Sequence, residues 1–231
     1  MKDTFALRRK WIIAEAPQVS TVLQKFPALK TSKYLWRELV AIVGTDNEEV
    51  ASERWKMLIP KVYRLAKKEA ESRESISAIL KAQFSEIQNC TNEEANTLSE
   101  LHSLELLNAL LMPRKYANKS INVVLRMSIS TQLEQAVQTV GQNFPYILIV
   151  NHDSAVPQIF IVTEQEILVE KPTCWEAIKS LYGAYFAFNI EYPKSSLAFL
   201  TFGQFYILDI QDNQKIPTLA VCVKSTLDQL L

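Results

Sequence analysis

Between Gly44 and Gly141 the chain has no glycine, and its 231 residues contain only four. Glycine is the residue that enters the left-handed backbone region of a tight turn without steric cost. So long a stretch without it suits helices rather than a succession of sharp reversals. Residues 45–112 are therefore predicted to be mostly helical. Helix starts are marked where Thr is followed three residues later by Glu: Thr45 with Glu48, Thr91 with Glu94, Thr131 with Glu134 and Thr173 with Glu176. In that spacing the hydroxyl and the carboxylate reciprocally satisfy backbone N–H groups that the first turn leaves open.

From Thr45 the apolar residues Val50, Trp55, Leu58, Val62, Leu65 and Ala66 recur near the helical period, and Pro60 is predicted to kink or split that helix near residue 59. After Thr91, the set Ala95, Leu98, Leu101, Leu107, Leu110 and Leu111 continues one face as far as Pro113. Val19–Phe26 and Tyr34–Val43 read as shorter helices hinged at Pro27, the second ended by Gly44. Beyond Pro113 a polar link, Arg114 to Ser120, leads into β-branched residues at Ile121, Val123 and Val124. Tyr146–Val150, Ile159–Thr163 and Ile167–Val169 are short runs expected to form an antiparallel meander. Leu133, Ala136, Val137 and Val140 mark a helix before it; Trp175, Ile178, Leu181, Tyr182 and Tyr185 mark one after it. Phe186 to Ile210 fits helix and strand equally, and Thr218 to Leu231 is expected to close the chain as a helix. The fold class is α+β: an all-helical unit over residues 1–113, then an α+β unit over 120–231 with a small, mainly antiparallel sheet.

Lys and Arg number 25, as do Asp and Glu, so no global field draws the chain to phosphate backbones or anionic lipid. The most apolar stretch, Leu197 to Leu208, is about 12 residues, short of the ~20 that cross a bilayer. The start, MKDTFALRRKW, lacks the unbroken apolar core of a secretory signal. Cys90, Cys174 and Cys222 are odd in number and far apart, which fits neither a disulfide framework nor a zinc site. A reducing compartment, cytoplasm or nucleus, is expected.

A nucleophile needs a neighbouring base, yet the only histidines, His102 and His152, fall in no catalytic signature. His102 is expected on the surface of its helix or half-buried, and His152 in an Asn-His-Asp turn. Cys174 is the strongest chemical candidate, because the Thr173 cap puts its thiol at a helix N-terminus, where the dipole favours thiolate. Its neighbours Pro172 and Trp175 point to packing instead, and Cys222, between Val221 and Val223, reads as core. Walker, GxGxxG, GxSxG and HExxH motifs do not occur. No catalytic, cofactor-binding or metal-ligating residue is assigned, and no cofactor is expected. The runs Arg8-Arg9-Lys10, Lys67-Lys68 and Arg114-Lys115 carry no interleaved aromatics and read as solvated helix faces. The aromatic run Tyr182, Tyr185, Phe186, Phe188 and Tyr192 reads as core or protein interface.

Phe26-Pro27-Ala28-Leu29 followed by Trp36-Arg37-Glu38-Leu39, and later Phe188-Asn189-Ile190-Glu191-Tyr192-Pro193, resemble the C-terminal region of proteins similar to sterile alpha motif domain-containing protein 3. The likeness runs from about Val19 to Leu231. It implies a module without an established reaction and carries over no functional residues. In such a family the sterile alpha motif precedes this region, and the chain is expected to be a short form without it. The function expected is a non-catalytic intracellular protein-protein interaction or scaffolding role, with a protein partner, no membrane, and homo-oligomerisation left open. Two alternatives stand beside it: an enzyme using Cys174 as thiol nucleophile, and a weak nucleic-acid binder using the basic helices of the first half.

Overall fold

The computed structural model describes residues 4–87, 91–116, 122–128, 133–151, 157–170 and 172–230. Up to residue 116 it is helical: α1 (Phe5–Glu15), α2 (Val19–Lys25), a 3-10 turn at Pro27–Lys30, α3 (Ser32–Val43), α4 (Glu48–Glu69), α5 (Glu74–Ile87) and α6 (Asn92–Leu110). Then follow β1 (Val124–Ser128), α7 (Leu133–Val140), β2 (Tyr146–Asn151), β3 (Gln158–Thr163), β4 (Glu166–Glu170), α8 (Cys174–Ala187), α9 (Leu197–Phe202), a π-helical turn at Gly203–Ile207 and α10 (Thr218–Asp228). The architecture is α+β.

Helix starts follow the capping chemistry where both partners are free to take part. Thr91 and Thr173 form complete capping boxes, each accepting from the Glu N–H at 3.3 and 3.2 Å while the Glu carboxylate accepts from the Thr N–H at 2.9 Å. The bonds from Thr91 hold the Glu94 carboxyl below the usual carboxylate range. Helix α4 departs from expectation, since it starts after Asn47 with no side-chain cap rather than after Thr45. Thr131 lies outside the described residues. α4 also continues through Pro60, where a kink or a split was predicted, so the helix is not split there. Lys56 and Pro60 are both exposed, so the carbonyl that proline leaves without a helical partner is on the side where water can serve it.

The sheet has four strands in the order β1-β2-β3-β4, one more than the expected meander. β2 and β3 are antiparallel from Tyr146 opposite Val162 to Val150 opposite Gln158, and β3 and β4 are antiparallel with an irregularity between Ile161 and Val162. The β3–β4 turn is the residue pair Glu164-Gln165, both at positive φ (48° and 64°), the geometry of a tight two-residue hairpin. Glu164 also accepts a hydrogen bond from the Val19 N–H at 2.8 Å, so a turn residue caps the otherwise uncapped start of α2.

Contacts divide the chain into two interleaved units, which differ from the sequential 1–113 and 120–231 division. One comprises the described residues of Met1–Asp46, Arg126–Val150 and Gln158–Tyr192; the other those of Asn47–Leu125, Asn151–Pro157 and Pro193–Leu231. In the first, α8 packs on β3 and against α3. The physical reason lies in α8 itself, whose residues 177, 178, 180–185 and 187 are all buried. A helix buried round most of its circumference, with only Trp175, Glu176, Lys179 and Phe186 half-exposed, must be covered on more than one side. The strands cover one side and α3 the other. Ile178, Leu181, Tyr182 and Tyr185 are its buried anchors, and Trp175 is only half-buried. Tyr185 donates to the Pro145 carbonyl at 2.9 Å. Burial pushes the Tyr182 and Tyr185 hydroxyls well above the usual phenol range. In the second unit α6 lies against α4 and α5 and is buried from Leu104 through Asn108. No helix among the described residues is long and apolar enough to cross a membrane.

The α3–α8 contact is closest at Gly183, where an added Cβ would lie 2.8 Å from the backbone carbon and oxygen of Leu35. Gly183→Ala is expected to destabilise by about 1–3 kcal/mol through overpacking, against the ~1 kcal/mol that alanine gains in helix propensity. Thermal denaturation checks the sign: a variant melting at or above the parent would show that the helices are not held this closely. A break at residues 114–120 divides both units, so fragments 1–113 and 120–231 are expected to need each other to fold. Two fragments that are monomeric and cooperative on their own in size-exclusion chromatography and melting would restore the sequential division.

Candidate functional site

The residues singled out for chemistry are scattered. Cys174 is 1% exposed, a core residue at the start of α8 rather than a thiol open to substrate. His102 is buried too, contrary to its expected surface or half-buried place, with Nε2 3.1 Å from Glu86 Oε2. His152 and Cys90 lie outside the described residues. Cys222, expected in the core, is exposed, because α10 turns Ala220, Val223 and Leu227 inward at helical spacing and Cys222 away from them. The aromatic run is core at Tyr182, Tyr185 and Phe188, with the Tyr192 ring edge-on to Tyr185 at 5.0 Å.

The concave feature of the second unit is a groove of about 490 Å³ that no sequence motif marks. α4 contributes Arg54, Met57, Leu58 and Lys61; α9 and the π turn contribute Phe202, Phe205 and Tyr206; α10 contributes Lys224, Leu227 and Asp228. Asp209, Gln211 and Ile216 from the connecting segment complete it. Its shape depends on the π turn. The Leu208 N–H reaches back five residues to the Gly203 carbonyl at 2.9 Å, and Asp209 follows at φ 57°. Gln204 braces the segment by donating to Asp212 Oδ2 at 2.8 Å. A single wide turn of this kind re-aims side chains that a regular helix would place elsewhere.

Ion pairs close both edges. Arg54 donates to Asp209 Oδ2 at 3.0 Å, and that bond chiefly holds the Asp209 carboxyl below its usual range. Lys224 donates to Asp228 Oδ1 at 2.6 Å, with its ammonium 5.4 Å from the centre of the Tyr206 ring. Lys61 is left without an ion-pair partner among the described residues. The pocket is thus aromatic and aliphatic inside, with two neutralised pairs and one uncompensated cation at its rim.

The family model for the helical domain of sterile alpha motif domain-containing protein 3 matches residues 1–31. The chain is similar to that domain over α1, α2 and the 3-10 turn. No curated protein and no solved structure matches the chain.

Within the matched segment sits the first basic run, and its surroundings correct the solvated-face reading. Arg8 is 1% exposed; it pairs with Glu38, donates to Thr4 Oγ1 at 2.9 Å and lies over the Phe26 ring at 5.0 Å. Arg9 donates to the Phe186 carbonyl at 2.7 Å and to Asn189 Oδ1 at 2.9 Å, at the C-terminal end of α8. Burial lowers the Arg9 pKa, against the pull of Glu38. Lys10 alone of the run is exposed. Phe26 and Glu38 belong to two of the three short motifs behind the family resemblance, and both meet Arg8. Those motifs therefore mark a buried ion pair and its aromatic cover.

Glu38→Gln strands the buried guanidinium and is expected to cost about 3–5 kcal/mol, whereas the paired change Arg8→Met with Glu38→Leu, which removes both charges, is expected to cost much less. Urea denaturation of the two variants gives the comparison. Equal losses would show that the pair is not coupled.

Proposed function

We propose that the chain is a non-catalytic protein-interaction module acting in the cytoplasm or nucleus, and that the groove walled by α4 and α10 is its docking face. One observation carries this reading: Met57, Val50 and Val221, exposed by 67, 55 and 45%, all lie on the two helices that form the groove. Large apolar side chains left in water around a concave, aromatic-lined surface are what a protein partner covers. Methionine suits such a surface because its flexible, polarisable side chain adapts to a partner's shape.

The alternatives draw less support. A thiol enzyme needs Cys174 open to substrate, and its residue is 1% exposed. A nucleic-acid binder using the basic helices of the first half loses Arg8 and Arg9, whose guanidiniums are engaged within the first unit, and keeps only the cations of α4. The similarity to the helical domain of sterile alpha motif domain-containing protein 3 is compatible with an interaction module and names no reaction.

A photocrosslinking amino acid at Met57 is expected to capture a discrete protein in cells, and the capture to be lost when Val50 and Val221 are replaced by Glu. The same probe at exposed Lys33 serves as control. Equal capture at Met57 and Lys33, or capture unaffected by the two Glu substitutions, would overturn the docking face.

A further inference from the structure

Helix α4 carries a second stripe besides the one it buries. Val50, Arg54, Met57, Lys61, Arg64 and Lys68 follow one another at spacings of three and four, so they share one face of the helix. Each is exposed or half-exposed, while Ala51, Trp55, Val62, Leu65 and Ala66 point into the core. Arg54 is neutralised by Asp209. Lys61, Arg64 and Lys68 have no ion-pair partner among the described residues. The N-terminal part of the stripe is thus apolar beside the groove, and the C-terminal part is a row of three uncompensated cations.

We infer that the groove takes an amphipathic helix from a partner protein, its apolar residues seated against Met57 and the Phe205–Tyr206 wall and its acidic flank laid along Lys61, Arg64 and Lys68. The inference rests on the reading of the groove as a docking face and adds the chemistry of what docks. Helices that bind in grooves present anchors at i, i+3, i+4 and i+7, and a stripe at the same period is the matching surface. Charge complementarity sets the register and the orientation. A polyphosphate chain or an anionic bilayer fits less well, because Asp209 and Asp228, each already paired with a cation, stand at the rim of the same groove and its apolar residues Met57, Leu58, Phe202, Phe205 and Ile216 offer such ligands nothing to pair with. A helix with its carboxylates on one flank meets the cations and leaves its other flank to those two aspartates and their partners.

The test uses the full chain and a fluorescein-labelled synthetic peptide of about 18 residues, long enough to run the ~27 Å from Val50 to Lys68. Leucines occupy i, i+3, i+4 and i+7 repeats, and the flanking positions are all Glu, all Gln or all Lys in three versions. By anisotropy, the Glu peptide is expected to bind at least about tenfold more tightly than the Lys peptide and to weaken as salt is raised. Lys61→Glu with Arg64→Glu is expected to reverse that preference; tight binding of the Lys peptide by this variant also demonstrates that it is folded. Met57→Glu is expected to weaken the Glu and Gln peptides alike. Equal binding of the Glu and Gln peptides, both lost in Met57→Glu, would overturn the acidic partner and leave the docking face standing. Failure of all three peptides while crosslinking at Met57 persists would do the same. Single-stranded RNA, or vesicles of phosphatidylserine and phosphatidylcholine in equal parts, displacing the Glu peptide and losing affinity in the Lys61/Arg64 variant would overturn both readings.

Discussion

The packing of the first unit follows from one helix that is buried round most of its circumference. α8 buries nine of its fourteen residues between Ala177 and Ala187, along with Cys174 at its start. The sheet covers one side, and the other is taken by α3, which approaches so closely that position 183 has room only for hydrogen. Because α3 comes more than a hundred residues earlier in the chain, that single requirement draws the N-terminal helices onto the strands. α2 is held to the β3–β4 turn through Glu164, and α1 is held to α3 through the buried pair Arg8 and Glu38. The described residues between 47 and 125 belong with α9 and α10 to the second unit.

Local chemistry was legible wherever a short segment decides its own conformation. Thr91 and Thr173 cap the helices they were expected to cap, each with the glutamate three residues on closing the box. Thr45 does not take that role: α4 starts two residues later, after Asn47, with no side-chain cap. Pro60 does not split its helix, since the cost of a missing N–H depends on whether water can replace it, and burial is not written in the local sequence. The aromatic stretch from Phe186 to Ile210 resisted assignment for a related reason. Mostly buried from Ser195 onward and containing a π turn, it shows neither the 3.6 nor the 2.0 period on which such a reading depends. The interleaving of the two units has no local signature at all, being decided by which apolar surfaces remain uncovered after each element forms.

The chemical candidates failed in an instructive direction. Cys174 was placed correctly at a helix N-terminus, yet the same packing that fixes the helix seals the thiol at 1% exposure. His102 was expected near solvent because charged residues surround it in sequence, but Ser103 and Glu105 are buried beside it. A central helix such as α6 hides polar residues as well as apolar ones when it is packed on several sides.

The groove was the least legible feature, and periodicity explains why. Val50 was grouped with Trp55 as one apolar face, but five residues at about 100° each bring a side chain round to about 140° from its starting direction. Val50 therefore belongs with Arg54, Met57 and Lys61, and what looked like one core face is a core face plus a residual apolar edge. The same geometry separates the two basic features of the chain. Arg8-Arg9-Lys10, consecutive in sequence, is spread by about 100° per step, so at least one of its side chains must turn inward, and Arg8 and Arg9 both find partners there. Lys61, Arg64 and Lys68 never form a run in the sequence, yet at spacings of three and four they stand in one line on the surface. On a helix, basic character that a partner can read lies in residues three and four apart, and those are separated in sequence by the residues that hold the helix in place.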